Sequence, residues 1–425
     1  MSTAPTPLSD IIANRLCTGC GGCAAASLNQ LVMAETRDES HRPKGVQLNN
    51  TKGFASPAAI CPGKSVIGPR TALPAQDKKL ADAFGPILAV YEGYASEDEV
   101  RQRGSSGGVV TALGHAALEM GVAGGVLHAK ANRSDPSRSV ATVSRSLTQL
   151  MEGAGSRYQP VAVLEPMAKP EVLNHQTMLV GKPCDIEGAQ RLAVANPAIA
   201  SSLAMTVSIF CAGTPSIEGT NSLLEALAPD KADHEPALTK LSFRGGGWPG
   251  PMRATWRYAG GQKIYHKDTD YSTGWGSILQ RFRQWRCHLC SDHTGELADI
   301  SVGDPWHTPQ EDGSKGKSLI LTRTERGRYF FEQAIAQGFI TATPVDHDTV
   351  AKAQPNLMHA KAAAWGRSLA LKTIGIQAPD LRADGRRLWL RLPLKAKMQS
   401  ILGTWKRVWQ RKLYQPKSPV WTKSG

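Results

Sequence analysis

Eight cysteines constrain this chain more than any other feature of its sequence, and five of them stand in C-x-x-C spacings. Cys17, Cys20 and Cys23 follow one another at intervals of three residues, and Cys61-Pro62 follows after a polar segment. Three thiols at this spacing are typical of a loop that wraps one face of an iron-sulfur cube, whereas structural zinc sites use paired C-x-x-C motifs. We therefore expect these four cysteines to hold one 4Fe-4S cluster. A structural zinc site or buried free thiols are the alternatives.

The remaining four cysteines are enough for a second complete set of ligands. Cys287 and Cys290 form a C-x-x-C pair shortly before an apolar strand predicted at 300–302. Cys184 and Cys211 each stand where a predicted strand ends and a helix begins, and ligands of open α/β sheets bind beyond the carboxyl ends of strands. Four thiolates are the usual complement of a 4Fe-4S cluster, so we expect these four to converge on one. The alternative for Cys184 and Cys211 is the role of small buried hydrophobic residues.

Strand-like and helical patterns alternate from about residue 87 to residue 344, which predicts an α/β fold with a mixed α+β sheet core. The predicted strands are 87–91, 125–129, 140–144, 177–180, 205–210, 300–302 and 318–322, and a hairpin is predicted around Gly260 and Gly261. The main predicted helices are 109–120, 217–227 and 325–337.

Two Gly-rich segments suggest where a ligand could approach the backbone. Ser105 or Ser106 is expected to cap the helix at 109–120, whose free amides suit a phosphate group. A Ser-Gly cap without a ligand is the commoner arrangement and remains the alternative. Glycines 245–247, just before Trp248, would let the backbone approach a planar ligand or would form a flexible bend.

The net charge of +14 is concentrated in the C-terminal tail. Residues 381–425 hold twelve Lys or Arg and one acidic residue, Asp384, so the tail accounts for eleven of the fourteen net charges. Apolar and aromatic residues alternate with these cations at helical spacing, which suits an amphipathic segment on an anionic membrane surface. A basic terminal helix that packs its apolar face on the protein is the equally weighted alternative. Because no nucleic-acid motif accompanies the charge, a nucleic-acid partner is not expected.

The N-terminal sequence and the lack of long apolar stretches predict the cellular compartment. Residues 1–15 contain no apolar run like that of a signal peptide, and no stretch approaches the ~18 apolar residues of a spanning helix. We therefore expect a cytoplasmic protein, peripheral on the inner membrane face if the tail binds lipid. In a reducing compartment, closely spaced cysteines favour metal ligation over disulfides.

Five longer motifs carry a family resemblance. They are S-S-G-G-V-V-T-A-L from Ser105, G-S-R-Y from Gly155, G-K-P-C ending at Cys184, F-C-A-G-T-P-S from Phe210 and T-G-E-L-A-D-I-S-V-G-D-P-W ending at Trp306. In this order they resemble the coenzyme F420 hydrogenase/dehydrogenase beta-subunit family, whose relatives include 7-hydroxymethyl chlorophyll a reductase and a divinyl chlorophyllide vinyl reductase. The resemblance covers about residues 15 to 345 and leaves the tail outside.

The resemblance implies an FAD enzyme with two 4Fe-4S clusters. Two sets of four residues look like the ligands of a ferredoxin-type cluster and of a cluster beside the flavin, respectively: Cys17, Cys20, Cys23 and Cys61, and Cys184, Cys211, Cys287 and Cys290. Ten residues look like FAD contacts: Ser105, Ser106, Gly107, Gly108, Ser156, Arg157, Tyr158, Gly303, Asp304 and Trp306. The chain departs from the family pattern because it lacks a second four-cysteine set often present in the ferredoxin module.

The activity that the resemblance implies is the transfer of single electrons from a ferredoxin-like donor, through two clusters, to FAD and then as a pair to an organic substrate. One alternative is a beta subunit that uses the family's deazaflavin coenzyme and feeds a hydrogenase or dehydrogenase. Another is a non-catalytic electron-transfer subunit. Asp292, His293, Asp304 and His307 are the nearest candidates by sequence for delivering protons, although each also suits a structural role.

The length of 425 residues suggests two or three domains. We expect a ferredoxin-like iron-sulfur module with its linker at 1–75, an FAD- and cluster-binding α/β domain at 76–345, and a C-terminal extension with a basic amphipathic helical tail at 346–425.

Overall fold

The computed structural model describes residues 7–28, 30–37, 39–45, 48–49, 51–68, 78–229, 236–258, 264–309 and 313–421. Within these ranges the chain forms thirteen strands and seventeen α-helices. The strands are β1 (Val32–Thr36), β2 (Ser40–Lys44), β3 (Ala89–Ala95), β4 (Gly125–Ala131), β5 (Ser139–Ser144), β6 (Thr177–Gly181), β7 (Leu203–Ile209), β8 (Ala237–Ser242), β9 (Met252–Arg257), β10 (Ile264–Thr269), β11 (Ile300–Gly303), β12 (Ser318–Thr322) and β13 (Ile340–Val345).

The helices connect and cover these strands. They are α1 (Leu8–Ala13), α2 (Gly22–Ala26), α3 (Pro57–Ile60), α4 (Lys78–Phe84), α5 (Asp98–Arg103), α6 (Val109–Glu119), α7 (Leu147–Glu152), α8 (Pro170–Leu173), α9 (Pro183–Ala195), α10 (Pro197–Ser202), α11 (Ile217–Ala226), α12 (Trp285–His288), α13 (Glu325–Ala336), α14 (Asp348–Ala353), α15 (Pro355–Lys372), α16 (Ala383–Arg391) and α17 (Leu394–Gln410). A π-helical segment, Ser272–Ile278, and two 3-10 turns, Glu165–Ala168 and Leu279–Phe282, complete them.

Eight strands form one mixed sheet in the order β13-β3-β12-β11-β7-β6-β4-β5. The four central strands, β11, β7, β6 and β4, run parallel to one another. The strands outside them pair in antiparallel fashion. The predicted mixed α/β class is therefore confirmed, and the parallel centre brings the carboxyl ends of four strands to one edge of the sheet.

Helices cover both faces of this sheet, because successive residues of a strand point to opposite sides. Val126 and Met178 pack with the apolar face of α6, whereas the residues that follow them, Leu127 and Leu179, pack with α9. All four side chains are buried. Because both faces of the central strands are buried, these strands are nearly continuous apolar runs in the sequence.

The N-terminal cysteine segment packs against the end of the chain. Helices α1 to α3 and the antiparallel pair β1-β2 make up its regular structure. The amide of Arg37 donates to the carbonyl of Val420 at 2.8 Å, and the amide of Lys417 donates to the carbonyl of Ala13 at 2.9 Å. The last described residues therefore help to hold this segment in place.

One face of the C-terminal helices is packed on the protein. Trp389 of α16 lies 4.9 Å from Trp365 of α15, measured between ring centroids. Trp405 of α17 donates through Nε1 to the carbonyl of Ala370 at 2.9 Å, and Val408 is buried. The opposite face of α17 is exposed.

Most predicted elements lie within a few residues of the observed ones, and the strand at 318–322 matches β12. The prediction that Ser105 or Ser106 caps α6 is wrong. Gly108 is the N-cap, with φ +72°, and no side chain caps the helix. The serine hydroxyls bond elsewhere: Ser106 donates to the carbonyl of Lys317 at 2.9 Å, and Ser105 accepts from Ser156.

Two predicted features fall on undescribed parts of the chain. The hairpin is represented by the antiparallel pair β9-β10, but its turn at Gly260 and Gly261 lies outside the described residues. Residues 69–75 of the predicted linker also lie outside them.

Candidate functional site

Four cysteines line one recess at the carboxyl edge of the central strands. Cys184, Cys211, Cys287 and Cys290 all face it. Cys184 lies at the start of α9, directly after β6, and Cys211 lies two residues after β7. Because β6 and β7 are parallel neighbours, their ends lie side by side. The structure therefore brings together the four cysteines that the sequence predicts as the second set.

Hydrogen bonds fix the segments that carry these cysteines. The amide of Cys211 donates to the carbonyl of His293 at 2.9 Å, and His293 Nδ1 lies 2.8 Å from the carbonyl of Cys211. The amide of Thr214 points at Sγ of Cys287 from 3.4 Å. This amide supplies a hydrogen-bond donor to a sulfur that the sequence predicts as a metal ligand.

The other four cysteines are buried together near the N-terminus. Cys17, Cys20, Cys23 and Cys61 each expose 7% or less of their surface. The loop between them turns at Gly21, where φ is +87° and a Cβ would lie 2.8 Å from the amide nitrogen of residue 165. Only glycine fits this turn without strain, which explains the Gly-rich spacing of the motif.

The two sets of cysteines are neighbours in space. A Cβ at Gly188 of α9 would lie 3.7 Å from Sγ of Cys20, so the helix that begins with Cys184 packs on the first set. Thr18, which lies between Cys17 and Cys20, lines the recess of the second set. No prediction from spacing alone gave this proximity.

The thiols are strongly desolvated. Burial, with Asp185 as the next cause, raises the pKa of Cys20 to about 12. Burial also raises the pKa of Cys290 to about 12 and, together with Cys287, that of Cys211 to about 11. Thiols in such surroundings stay protonated at neutral pH unless a cation compensates, as thiolate-bound metals do.

The donor chemistry fits an iron-sulfur cluster in each set. Four thiols are the usual complement of a 4Fe-4S group. In the described ranges, no group of three or more His, Cys, Asp or Glu side chains is arranged so that it could hold a metal ion.

An aromatic wall stands at the end of β11. Trp306 stacks on Tyr271 with ring centroids 5.5 Å apart and ring planes at 24°, and its centroid lies 5.4 Å from that of Trp248. The guanidinium of Arg244 lies 5.1 Å from the Tyr271 ring and 5.8 Å from the Trp306 ring. Stacked rings beside a cation suit a planar ligand that carries negative charge.

Asp304 holds this wall together. Arg244 donates to its two carboxylate oxygens at 2.9 and 2.8 Å, and Trp248 Nε1 donates to one of them at 2.7 Å. The Arg244 side chain is only 3% exposed, so its charge is shielded from water and the carboxylate of Asp304 serves as its counter-ion. Gly303 precedes Asp304 at a point where a Cβ would overlap the ring of Phe210.

The three segments predicted to contact FAD lie next to one another. The hydroxyl of Ser156 donates to the hydroxyl of Ser105 at 2.9 Å, which joins the segment after α7 to the Gly-rich turn before α6. A Cβ at Gly155 would lie 3.3 Å from the carbonyl of Arg244, and Arg244 is bonded to Asp304. Gly107 and Gly108 are buried within this turn.

Arg157 and Tyr158 have different surroundings. Arg157 donates to Ser139 Oγ at 2.8 Å and to the carbonyl of Leu241 at 2.9 Å, so it ties two strand ends together rather than facing open space. The ring of Tyr158 lies 4.8 Å from that of Trp275 and so extends the aromatic wall.

The four predicted proton donors are placed very differently. Asp292 accepts hydrogen bonds from three backbone amides, those of residues 294–296, at 2.8 to 3.0 Å. Asp304 is bound by Arg244. His307 is paired with Glu92 at 2.9 Å on a more exposed surface. Of these four residues, only His293 has a buried ring nitrogen, Nε2, that finds no partner among the described residues. It lines the cysteine recess, where burial lowers its pKa to about 4.

The sequence prediction missed Arg244 and Tyr271. Arg244 directly precedes the three glycines and Trp248, which were predicted to approach a planar ligand, so a basic residue beside that motif was an available signal. Tyr271 is the N-cap of the π-helical segment, whose sequence has no distinctive pattern. Nothing in the sequence links Tyr271 to Trp306.

Comparison with known proteins matches most of this region to one family, described as coenzyme F420 hydrogenase/dehydrogenase, beta subunit. Residues 90–168 match the family's model for the N-terminal part of that protein, and residues 175–348 match its model for the C-terminal part. Together the two matches span more than half of the chain. No described helix combines the length and the apolar character needed to cross a membrane.

Individual relatives have low sequence identity to the chain but align with it over most of their own length. The chain is 25% identical over 268 residues to coenzyme F420 hydrogenase subunit beta of Methanococcus voltae, which covers 62% of this chain and 86% of the relative. It is 22% identical over 272 residues to the protein of the same name from Methanosarcina barkeri, with 62% and 84% covered. It resembles a chain in a solved structure of the F420-reducing [NiFe] hydrogenase complex from Methanosarcina barkeri, with TM-score 0.53 and 20% identity, covering 72% of this chain and 98% of that one. This last likeness shows the fold.

Proposed function

Because the chain belongs to the coenzyme F420 hydrogenase/dehydrogenase beta-subunit family, we propose that it is a flavin-dependent iron-sulfur oxidoreductase. It takes single electrons from a ferredoxin-like donor and delivers a pair to an organic substrate. The observation that carries this proposal is the convergence of Cys184, Cys211, Cys287 and Cys290 on one recess at the strand ends that also bear the aromatic wall.

Each part of the proposal rests on named side chains. Two groups of residues would hold the two 4Fe-4S clusters, namely Cys17, Cys20, Cys23 and Cys61, and Cys184, Cys211, Cys287 and Cys290. The Gly-rich turn, the Ser156 segment and the wall around Asp304 would hold FAD. When bound, a flavin beside a cluster exchanges single electrons for pairs.

The protein's own contribution is exclusion of water and control of charge. Burial of the first cysteine set keeps water away from its thiols, and the amide of Thr214 that points at Sγ of Cys287 replaces water as a hydrogen-bond donor. At the aromatic wall, Asp304 neutralises part of the charge of Arg244 and fixes its orientation, so that the guanidinium faces Tyr271 and Trp306. His293 is the side chain best placed to accept or hold a proton beside the cysteine recess.

Anaerobic purification, with iron, sulfide, zinc and flavin counted per chain, tests this proposal. About eight irons and about one FAD are expected. Zinc in place of iron, with no flavin, would overturn it.

A second candidate is a deazaflavin-linked beta subunit that works with other subunits. The names of the similar proteins, coenzyme F420 hydrogenase subunit beta, favour it. Reduction of coenzyme F420 by the purified chain, measured against reduction of FAD by a ferredoxin, separates the two candidates. A chain that carries clusters but turns over neither would instead be a non-catalytic electron-transfer subunit.

The exposed side of the C-terminal helices favours contact with an anionic membrane surface. Leu390, Leu394, Met398, Leu402 and Trp409 are between 46% and 75% exposed, although all five are apolar. Leu394, Met398 and Leu402 follow one another at intervals of four residues along one side of α17, in a tail that holds most of the net positive charge. An apolar stripe among cations is the pattern of helices that lie in a lipid interface.

A further inference from the structure

Four arginines surround His288, the residue after Cys287. They come from three parts of the chain: Arg283 precedes α12, Arg367 belongs to α15, and Arg407 and Arg411 lie in and just after α17. Arg283 and Arg367 both bond to His288, and burial followed by the charges of Arg411 and Arg283 lowers the pKa of Arg407. We call this group the arginine recess.

Within the described part of the chain, the hydrogen-bond partners of the arginine recess are neutral. Arg283 donates through Nη1 to the carbonyl of Ala212 at 2.9 Å, and its Nη2 lies 2.8 Å from His288 Nδ1. Arg367 donates to the carbonyl of His288 at 2.8 Å. Arg407 donates to Thr404 Oγ1 at 3.3 Å.

The described residues supply no counter-ion to the arginine recess. Among the described residues, no carboxylate lies within salt-bridge distance of any of its four arginines. The Nε atoms of Arg283, Arg367 and Arg407 are buried and have no hydrogen-bond partner in the described part of the chain. Burial, followed by the charges of Arg407 and Arg283, lowers the pKa of Arg367 to about 10.

Two other buried arginines have a carboxylate partner, whereas Arg286 and Arg323 bond to neutral groups. Arg244 is paired with Asp304, and Arg382 is paired with Glu296. Gathering several partly buried cations without an anion costs free energy, through both desolvation and mutual repulsion. A bound anion removes that cost, and guanidinium groups with free N–H donors match the oxygens of a phosphoryl group in fork geometry.

We propose that the arginine recess binds a phosphoryl group. Its ligand is a phosphorylated small molecule or the headgroup of an anionic lipid, since both present the same oxyanion chemistry. Arg283 also packs against Gly213, between Cys211 and Thr214, so the bound group lies beside the recess of the second cysteine set. The inference depends on the arginines alone and holds whether or not iron occupies the cysteines.

The test uses the full-length chain, purified anaerobically, with inorganic phosphate and pyrophosphate as probes in calorimetric titration. The variants are Arg367→Gln and Arg407→Gln. Arg386→Gln is the matched control, because Arg386 is an exposed residue of α16 and the change in charge is the same. Saturable binding of pyrophosphate is expected, weakened by about 10- to 100-fold in each variant and unchanged in the control.

Thermal unfolding separates a binding role from a structural one. Without phosphate, the two variants are expected to keep the Tm of the parent chain or to exceed it, because each removes like-charge repulsion. With pyrophosphate, the parent and the control gain Tm and the variants gain little. Variants that unfold earlier than the control in phosphate-free buffer, with an unchanged gain on adding pyrophosphate, would overturn the proposal.

A second set of titrations distinguishes the two sources of the ligand. Vesicles of phosphatidylglycerol replace pyrophosphate. If Arg367→Gln weakens binding of both probes, the lipid headgroup is the ligand, and if it weakens pyrophosphate binding alone, a soluble phosphorylated compound is. Absence of binding to both probes, or binding only of a glutamate-rich peptide, would overturn the phosphoryl site and indicate an acidic protein partner.

Discussion

Arg286 donates a 2.9 Å hydrogen bond to the carbonyl of Pro62, which joins the residue before Cys287 to the residue after Cys61. The same guanidinium donates to the carbonyls of Gly63 at 3.2 Å and Leu289 at 3.1 Å, and the residue is 3% exposed. One side chain thus fixes the two cysteine sets relative to each other. We therefore expect Arg286 to affect both the stability of the fold and the metal content of the two proposed cluster sites.

Arg286→Met is predicted to lower the free energy of unfolding by about 2–4 kcal/mol, because three buried carbonyls lose their donor. Iron content should fall in the same variant. Arg133→Met is the control, since the Arg133 side chain is 78% exposed and its surface ion pair is screened by solvent. Denaturant unfolding and an iron assay measure both effects. Equal stability of the two variants would contradict the prediction.

Asp304→Asn is predicted to lower the free energy of unfolding by about 3 kcal/mol, because it leaves the buried Arg244 without its counter-ion. Flavin content after purification should drop with it. The comparison is Asp268→Asn, which breaks a two-pronged ion pair of the same kind, with Arg253, on the surface. A variant at Asp304 that keeps full flavin content would show that the wall does not hold the flavin.

His128 is predicted to make the protein sensitive to acid. It is buried, with Nε2 2.8 Å from Ser144 Oγ, and burial lowers its pKa below the usual 6.5. The unfolded chain therefore takes up a proton that the folded chain refuses, so the free energy of unfolding falls as the pH drops below about 6.5. His128→Asn should show a smaller loss between about pH 7.5 and about pH 5. His175→Asn, at an exposed histidine, serves as control, and the same loss in both variants would refute the role of His128.

Leu394→Glu combined with Leu402→Glu is predicted to weaken binding to phosphatidylglycerol vesicles by at least about 10-fold, because each leucine contributes ~1.5–3 kcal/mol when fully buried in an apolar phase. Stability should change little, since the two side chains are 75% and 48% exposed. Val194→Glu, at an apolar residue of α9 that is 73% exposed, tests whether any new surface charge has this effect. Vesicle sedimentation gives the affinities. Unchanged binding by the double variant would exclude α17 as the contact surface.

The arrangement of the cysteines was largely predictable from the sequence because it follows from topology. Cys184 and Cys211 come directly after strands, and parallel neighbouring strands end at the same edge of a sheet. The alternation of apolar runs likewise located most strands of the central sheet, including β12.

The partners of individual side chains were not predictable. Arg244 and Asp304 are 60 residues apart, and Arg286 and Pro62 are 224 residues apart, so no local pattern links them. Ser105 was predicted to cap a helix because its type and position suit a cap, but its hydroxyl accepts from Ser156 instead. Contacts over such separations are set by tertiary packing, which overrides local preference.

The central claim, two iron-sulfur clusters held by separate cysteine sets, is tested most directly by counting iron per chain in the parent, Cys23→Ser and Cys287→Ser, all purified anaerobically. About eight irons are expected in the parent and about four in each variant, because each substitution removes a ligand from one set only. Zinc in the parent, or a parent iron content near zero, would contradict the claim. So would a Cys287→Ser variant that keeps all of the parent's iron.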